Sequence, residues 1–168
     1  LSSGACTLES GAGLSTLVFA LSGATHTCVT PNRSEVDAIR AYAESQSIDL
    51  SRTRFLVDSS DRCLPRVELA ALDLVLIDGK HAFPWPTIDW FYSSESLKFG
   101  GIMVVDDANI PSVGNLCQYM REDPCWSLLK QFEETTFFFR KGAGDLRNMA
   151  WHMQPWVTRR YRPRAALK

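Results

Sequence analysis

Thr7-Leu8-Glu9-Ser10-Gly11-Ala12-Gly13-Leu14-Ser15-Thr16 reads as the end of an apolar strand, a two-glycine turn and the first turn of a helix. Glycine at such a junction allows positive φ and lets the backbone approach a ligand closely. The unpaired N–H groups that open the following helix suit an anionic or carboxylate-bearing ligand. The Gly-x-Gly turn alone fits several nucleotide-like ligands, and equally a tight turn with none. A dinucleotide fingerprint would place a third small residue where Thr16 stands.

Outward from this turn, short apolar runs alternate with longer amphipathic ones. Ala5–Glu9 precedes an expected helix over Leu14–Ser22. His26–Thr30 precedes Ser34–Gln46, where Val36, Ile39 and Ala43 fall on one helical face. Arg54–Val57 is followed by a short expected helix around Arg62–Ala70. Leu72–Ile77 and Gly101–Val105 read as buried strands, and Thr87–Leu97 and Val113–Arg121 as helices. Strands that are continuously apolar belong to parallel sheets covered on both faces. The βα order therefore predicts an α/β fold, doubly wound around a mostly parallel sheet. Trp126–Glu134 and Thr135–Lys141 leave no room for a crossover helix and predict a C-terminal antiparallel hairpin at the sheet's edge. Residues 145–168, with Arg159, Arg160, Arg162, Arg164 and Lys168, read as a solvated basic tail.

The bulk properties narrow the class. With 168 residues, 45% hydrophobic and 22% charged, the chain is sized for one domain with a real core. A formal net charge of -1 argues against electrostatically driven binding to nucleic acid or anionic membrane. No apolar run approaches the roughly 18 residues of a membrane helix, and Leu1-Ser2-Ser3-Gly4 lacks the features of a signal peptide. Cys6, Cys28, Cys63, Cys117 and Cys125 are scattered and form no Cys-x-x-Cys pair, so neither a zinc site nor a disulfide framework is indicated. A reducing cytoplasm is the expected location. The chain begins at Leu rather than Met, which leads us to expect residues upstream.

Three segments, in order, carry a more specific resemblance: Leu8-Glu9-x-Gly11-x-Gly13-x-Ser15-Thr16; Asp73-Leu74-Val75-Leu76-Ile77-Asp78-Gly79-Lys80-His81; and Leu97-Lys98-Phe99-Gly100-Gly101-Ile102-Met103-Val104-Val105-Asp106-Asp107. Together they resemble the motifs of class I S-adenosylmethionine-dependent methyltransferases. The likeness is strongest to the small-molecule O-methyltransferase-like branch, whose strands end in IDG-x-H and GG-x-x-x-x-DD patterns. The resemblance covers residues 5–141. It implies a Rossmann-like, seven-stranded sheet with a final antiparallel hairpin, and a methyltransferase core over residues 1–144.

By that resemblance, Glu9, Gly11 and Gly13 wrap the methionine part of S-adenosylmethionine, with Ser15 and Thr16 near its carboxylate. Ser15 and Thr16 equally suit helix capping. At the end of the second strand, the family usually grips the ribose with an acidic residue. Thr30 stands there instead, with Asn32 nearby. Asp58 and Ser59 occupy the usual adenine position. His81 is the candidate base, since imidazole ordinarily titrates near neutrality, and Asp78 joins it as a catalytic candidate. Asp78, Asp106 and Asp107 form a candidate oxygen-only site for Mg²⁺, as in catechol-type relatives, although those usually carry an amide where Asp107 stands. Phe83, Pro84, Trp85 and Pro86 offer walls for an apolar substrate, while Asp89 reads as a helix carboxylate without assigned role.

The implied reaction is methyl transfer from S-adenosylmethionine to a hydroxyl of a small molecule. The Asp/Asn-Pro-Pro-Tyr/Phe signature of nucleic-acid amino methyltransferases is absent, which argues against a nucleic-acid partner. A non-catalytic methyltransferase-like binding module is the alternative, supported by Thr30. A dinucleotide oxidoreductase ranks third, lacking both the third glycine and the acidic ribose ligand. Only Leu1–Gly4 precede the first strand, so a substrate lid is expected from residues outside this sequence, from the tail, or from the second subunit of a homodimer.

Overall fold

The computed structural model describes residues 2–144 and 149–161. Seven strands form one sheet in the order β3-β2-β1-β4-β5-β7-β6. β1 (Cys6–Ser10), β2 (Thr25–Val29), β3 (Thr53–Leu56), β4 (Leu72–Ile77) and β5 (Leu97–Val105) are parallel. β6 (Trp126–Phe132) and β7 (Thr136–Lys141) form the expected hairpin, and β7 inserts antiparallel between β5 and the edge strand β6. The fold is thus the Rossmann-like arrangement predicted from the βα order.

The strands are apolar because both faces are covered. Leu8, Val75, Met103, Val105 and Phe139 are almost wholly buried in one continuous core. A smaller cluster joins Leu17 of α1 (Leu14–Leu21) to Ile39 and Ala43 of α2 (Arg33–Ser45). The predicted inward face of α2, Val36, Ile39 and Ala43, is the one buried. Asn32 opens this helix, its side-chain oxygen accepting the Ser34 N–H at 3.1 Å. Cys28 and Cys117 are buried thiols, packed as small hydrophobes.

Four elements differ from expectation. The helix around Arg62–Ala70 is only α3 (Ser60–Cys63), because Pro65 brings no N–H to continue the ladder. The strand expected from Gly101 begins at Leu97, and its register against β4 jumps between Leu72↔Leu97 and Leu74↔Ile102. Gly100, at φ 79°, permits that irregularity. α4 (Trp85–Ser96) and α5 (Pro111–Glu122) start earlier than predicted, each with proline in its first turn, where proline costs no hydrogen bond.

A 3₁₀ turn over Trp151–Met153 leads into α6 (Pro155–Arg160), none of whose residues is buried and which is tied to α5. Arg160 donates from two nitrogens to the two Glu122 carboxylate oxygens, each at 2.8 Å, and Arg159 lies 3.5 Å from the same group. Arg162, Arg164 and Lys168 lie outside the described residues. No helix among the described residues is long and apolar enough to cross a membrane.

Candidate active site

The strand order reverses between β1 and β4, and the carboxyl ends of these strands face a common cleft, where doubly wound folds bind ligands. A cavity of about 480 Å³ opens there, within the ~300–1,000 Å³ range of small-molecule sites. The glycine turn forms one wall: Gly11, at φ 96°, packs so closely that a Cβ would overlap the Asp78 carbonyl. Its N–H donates to the Val29 carbonyl at 2.9 Å, which ties the turn to β2.

Of the residues expected to hold a cofactor, Gly11, Thr30, Ser59 and Asp78 line this cavity. Glu9, Ser15 and Thr16 lie behind the turn. Glu9 is 1% exposed, and its carboxylate accepts from Ser15 at 2.6 Å, from Thr16, and from the His26 ring 3.1 Å away. His26 is held in turn by Thr7 at 2.8 Å and stacks on Phe19. The result is a buried polar cluster that fixes the start of α1. Gly13 is the N-cap of α1 and donates its N–H to Thr16 at 3.3 Å. Asp58 is exposed, and its carboxylate accepts the Ser59 N–H at 2.7 Å.

The cavity also contains residues that sequence reasoning missed. Glu35 reaches it from the first turn of α2. One of its carboxylate oxygens accepts the Thr30 hydroxyl, the other the Asn32 side-chain amide, both at 2.9 Å. An acidic group therefore does stand beside Thr30, supplied by the helix instead of the strand. The signal was present in Asn32-Arg33-Ser34-Glu35, an N-cap residue followed by glutamate three positions on. Trp85 lines the same cavity, with the Lys80 ammonium 3.5 Å from its ring centroid. Asp89 proves to be 2% exposed, and burial raises its carboxyl above the ordinary range. Ser10 and Ser60, which line the cavity with it, oppose that rise through their hydroxyls.

Asp78 joins the cavity to a second cluster. Its Oδ1 lies 3.7 Å from His81 Nε2, and Asp107 Oδ2 lies 3.2 Å from the same nitrogen. Neither carboxylate is aligned as a hydrogen bond, and the enclosed Nε2 has no hydrogen-bond partner among the described residues. Asp107 is turned inward by a left-handed backbone, φ 58°, a conformation that aspartate tolerates and that often marks functional sites. The Ser112 hydroxyl, on the first turn of α5, donates to the His81 carbonyl and pins this loop. Burial, and then the neighbouring Asp106 carboxylate, push Asp78 up to about 6.

The ligand atoms of Asp78, His81 and Asp107 lie within 4.8 Å of one another, the spacing of a metal-binding set. Asp106 stands outside it: its Oδ1 accepts the Thr136 hydroxyl at 2.6 Å and the Asp107 N–H at 3.0 Å. The convergent set is thus two carboxylates and an imidazole in place of the three carboxylates expected.

Comparison with known proteins agrees with the fold. Residues 8–108 match the family described as "Methyltransferase domain". No curated protein matches the chain. A Staphylococcus aureus protein proposed to be a caffeoyl-CoA O-methyltransferase superposes with a TM-score of 0.71 at 14% identity, covering 82% of this chain and 76% of its own. The SAH-bound methyltransferase PaMTH1 from Podospora anserina gives 0.66 at 15% identity, with 82% and 72% covered. An rRNA methylase from Streptococcus thermophilus gives 0.65 at 11% identity, with 85% and 90% covered. At these identities the likeness is one of fold.

Proposed function

The chain belongs to the methyltransferase domain family, and on that premise we propose that it transfers the methyl group of S-adenosylmethionine to a hydroxyl of a small molecule, with His81 as the base. The observation that carries this reading is Asp78, which lines the ligand cavity and also stands beside His81 Nε2. The cavity fits the cofactor by its chemistry. A glycine turn and helix start suit the methionine carboxylate, and a carboxylate beside Thr30 suits a diol.

When bound, S-adenosylmethionine supplies a methyl group on a positively charged sulfur, which needs only an aligned nucleophile. The protein's work is then positioning and proton removal. Glu35 and Thr30 would hold the ribose hydroxyls and Ser59 would meet the adenine, while the Glu9 cluster keeps the turn and α1 in register. His81, whose Nε2 lies between the Asp78 and Asp107 carboxylates, accepts the proton of the attacking hydroxyl. The carboxylates of Asp78 and Asp107 offset the positive charge that then develops on the ring.

A second reading is favoured by the convergence of Asp78, His81 and Asp107. These three would hold a divalent cation, which acidifies a bound hydroxyl. An imidazole in the set suits Mn²⁺ or Zn²⁺ better than Mg²⁺, which prefers oxygen. His81 would then be a ligand and no longer a base.

Calorimetry against S-adenosylmethionine, S-adenosylhomocysteine and NAD tests the cofactor assignment; failure of the first two to bind overturns it. His81→Ala should lower turnover by about 100-fold, the low end of general-base contributions, while leaving S-adenosylhomocysteine affinity unchanged. Unchanged turnover removes His81 from the mechanism. Activity lost to chelator and restored by Mn²⁺ selects the metal reading.

A further inference from the structure

Glu9 is next in sequence to the wall of the ligand cavity, yet it faces away from it. Ser10, Gly11 and Ala12 line the cavity and Glu9 does not. Its carboxylate is buried beneath α1, and its bonds all run to protein groups. Ser15 donates to Oε2, while Thr16 and the His26 ring share Oε1. A carboxylate that already accepts three donors has the cost of its burial met by the protein alone. Thr16 passes the hold onward, since the hydroxyl that donates to Glu9 also accepts the Gly13 N–H at 3.3 Å.

His26 is the member of this cluster that comes from another strand. It pairs with Thr7 in the β1–β2 register and is clamped on three sides. The Thr7 hydroxyl lies 2.8 Å from Nδ1, Glu9 lies 3.1 Å from Nε2, and the Phe19 ring of α1 stacks on the imidazole at 4.4 Å. Since the Glu9 oxygen accepts, Nε2 carries the proton and donates it. Two residues along, on the same face of β2, the Cys28 thiol donates to the Gly11 carbonyl at 3.4 Å. One strand therefore braces both the glycine turn and the carboxylate behind it.

We propose that Glu9 and His26 are positioning residues for the amino-acid end of the cofactor. They hold Gly13, Ser15 and Thr16 in the geometry that receives the cofactor's carboxylate, and Glu9 makes no bond to its amino group. This deepens the methyltransferase reading and rests on it. The two carboxylates near the turn then have separate roles: Glu35, which lines the cavity, meets the ligand, and Glu9 acts only through the backbone it fixes. Removing the His26 nitrogens leaves a buried carboxylate short of one donor, and the first turn of α1 shifts to make up the loss.

Calorimetry on the full chain with three ligands tests the assignment: S-adenosylhomocysteine, its deaminated analogue, and 5′-methylthioadenosine, which lacks the whole amino-acid arm. His26→Phe keeps a ring stacked on Phe19 and removes both nitrogens. It should weaken S-adenosylhomocysteine and the deaminated analogue alike, by about tenfold, the scale of one charge-assisted hydrogen bond. Affinity for 5′-methylthioadenosine should stay unchanged. Glu9→Gln should give the same pattern, and it decides the question if His26→Phe does not fold. His26→Gln, which still offers Glu9 an N–H, should recover most of the loss. A loss confined to S-adenosylhomocysteine means that Glu9 binds the amino group and overturns the assignment. A loss that extends to 5′-methylthioadenosine means a disturbed cavity, and equal affinity for all three ligands means no positioning; either also overturns it. Failure of the unaltered protein to bind S-adenosylhomocysteine overturns the underlying methyltransferase reading instead.

Discussion

Asp78 is held between two demands, lining the cavity and facing Asp106, Asp107 and His81, and its proton affinity records both. Its carboxyl is pushed from the ordinary 3.8 up to about 6 by burial first and the Asp106 carboxylate second. A raised carboxyl pKa means that the folded state binds the proton more tightly than the unfolded chain. The resulting stabilisation is complete below the ordinary value and is lost as pH rises through about 6. In metal-free protein, Asp106→Asn should therefore lower the Asp78 pKa part of the way, because burial remains. A carbon-13 NMR titration of the Asp78 carboxyl reads this directly. Glu35 allows a second test at this scale. Glu35→Gln should weaken S-adenosylhomocysteine binding by about tenfold, the scale of one charge-assisted hydrogen bond, with little change in melting temperature. Equal affinity would mean that Thr30 needs no carboxylate beside it. Gly11, Asp78, His81 and Asp107 were readable in the sequence because motif spacing and strand ends locate them. Glu35 was announced only as a first-turn residue three positions after the Asn32 cap, and Asp89 not at all, because helix phase decides that they face the cavity, and phase follows from how α2 and α4 pack.

At the level of elements, apolar runs such as Leu72–Ile77 and Gly101–Val105 announced their strands because a sheet covered on both faces leaves little room for polar side chains. The hairpin was legible for a related reason, since the linker between its halves is too short for any crossover. α6 was illegible because its supports are remote: Arg160 meets Glu122 38 residues away, and no local pattern encodes that pairing. The strength of this fastening can be measured. Arg160→Ala removes a two-pronged ion pair at an exposed site, where solvent screens much of its strength, together with the cover over Trp156. Amide exchange should accelerate across Pro155–Arg160 and remain unchanged in β1 and β4. Unchanged exchange in α6 would assign its anchorage to the aromatic contacts alone.

For the whole molecule, the exposed margin is β6, where six of seven residues face solvent and Lys130 is the one charge. Edge strands invite pairing with other chains and are commonly guarded by lysine and by bulges. Both guards are present, because the β6–β7 register shifts between Leu128 and Lys130. Lys130→Val should raise the average mass seen in sedimentation relative to the unaltered chain. An identical distribution would show that the irregular register suffices by itself.

Inside that margin, Gly11 meets the Asp78 carbonyl with no space for a single added carbon. The turn after β1 and the loop after β4 are therefore not separable modules. The backbone at Gly11 and Asp78 has to be inherited as a unit.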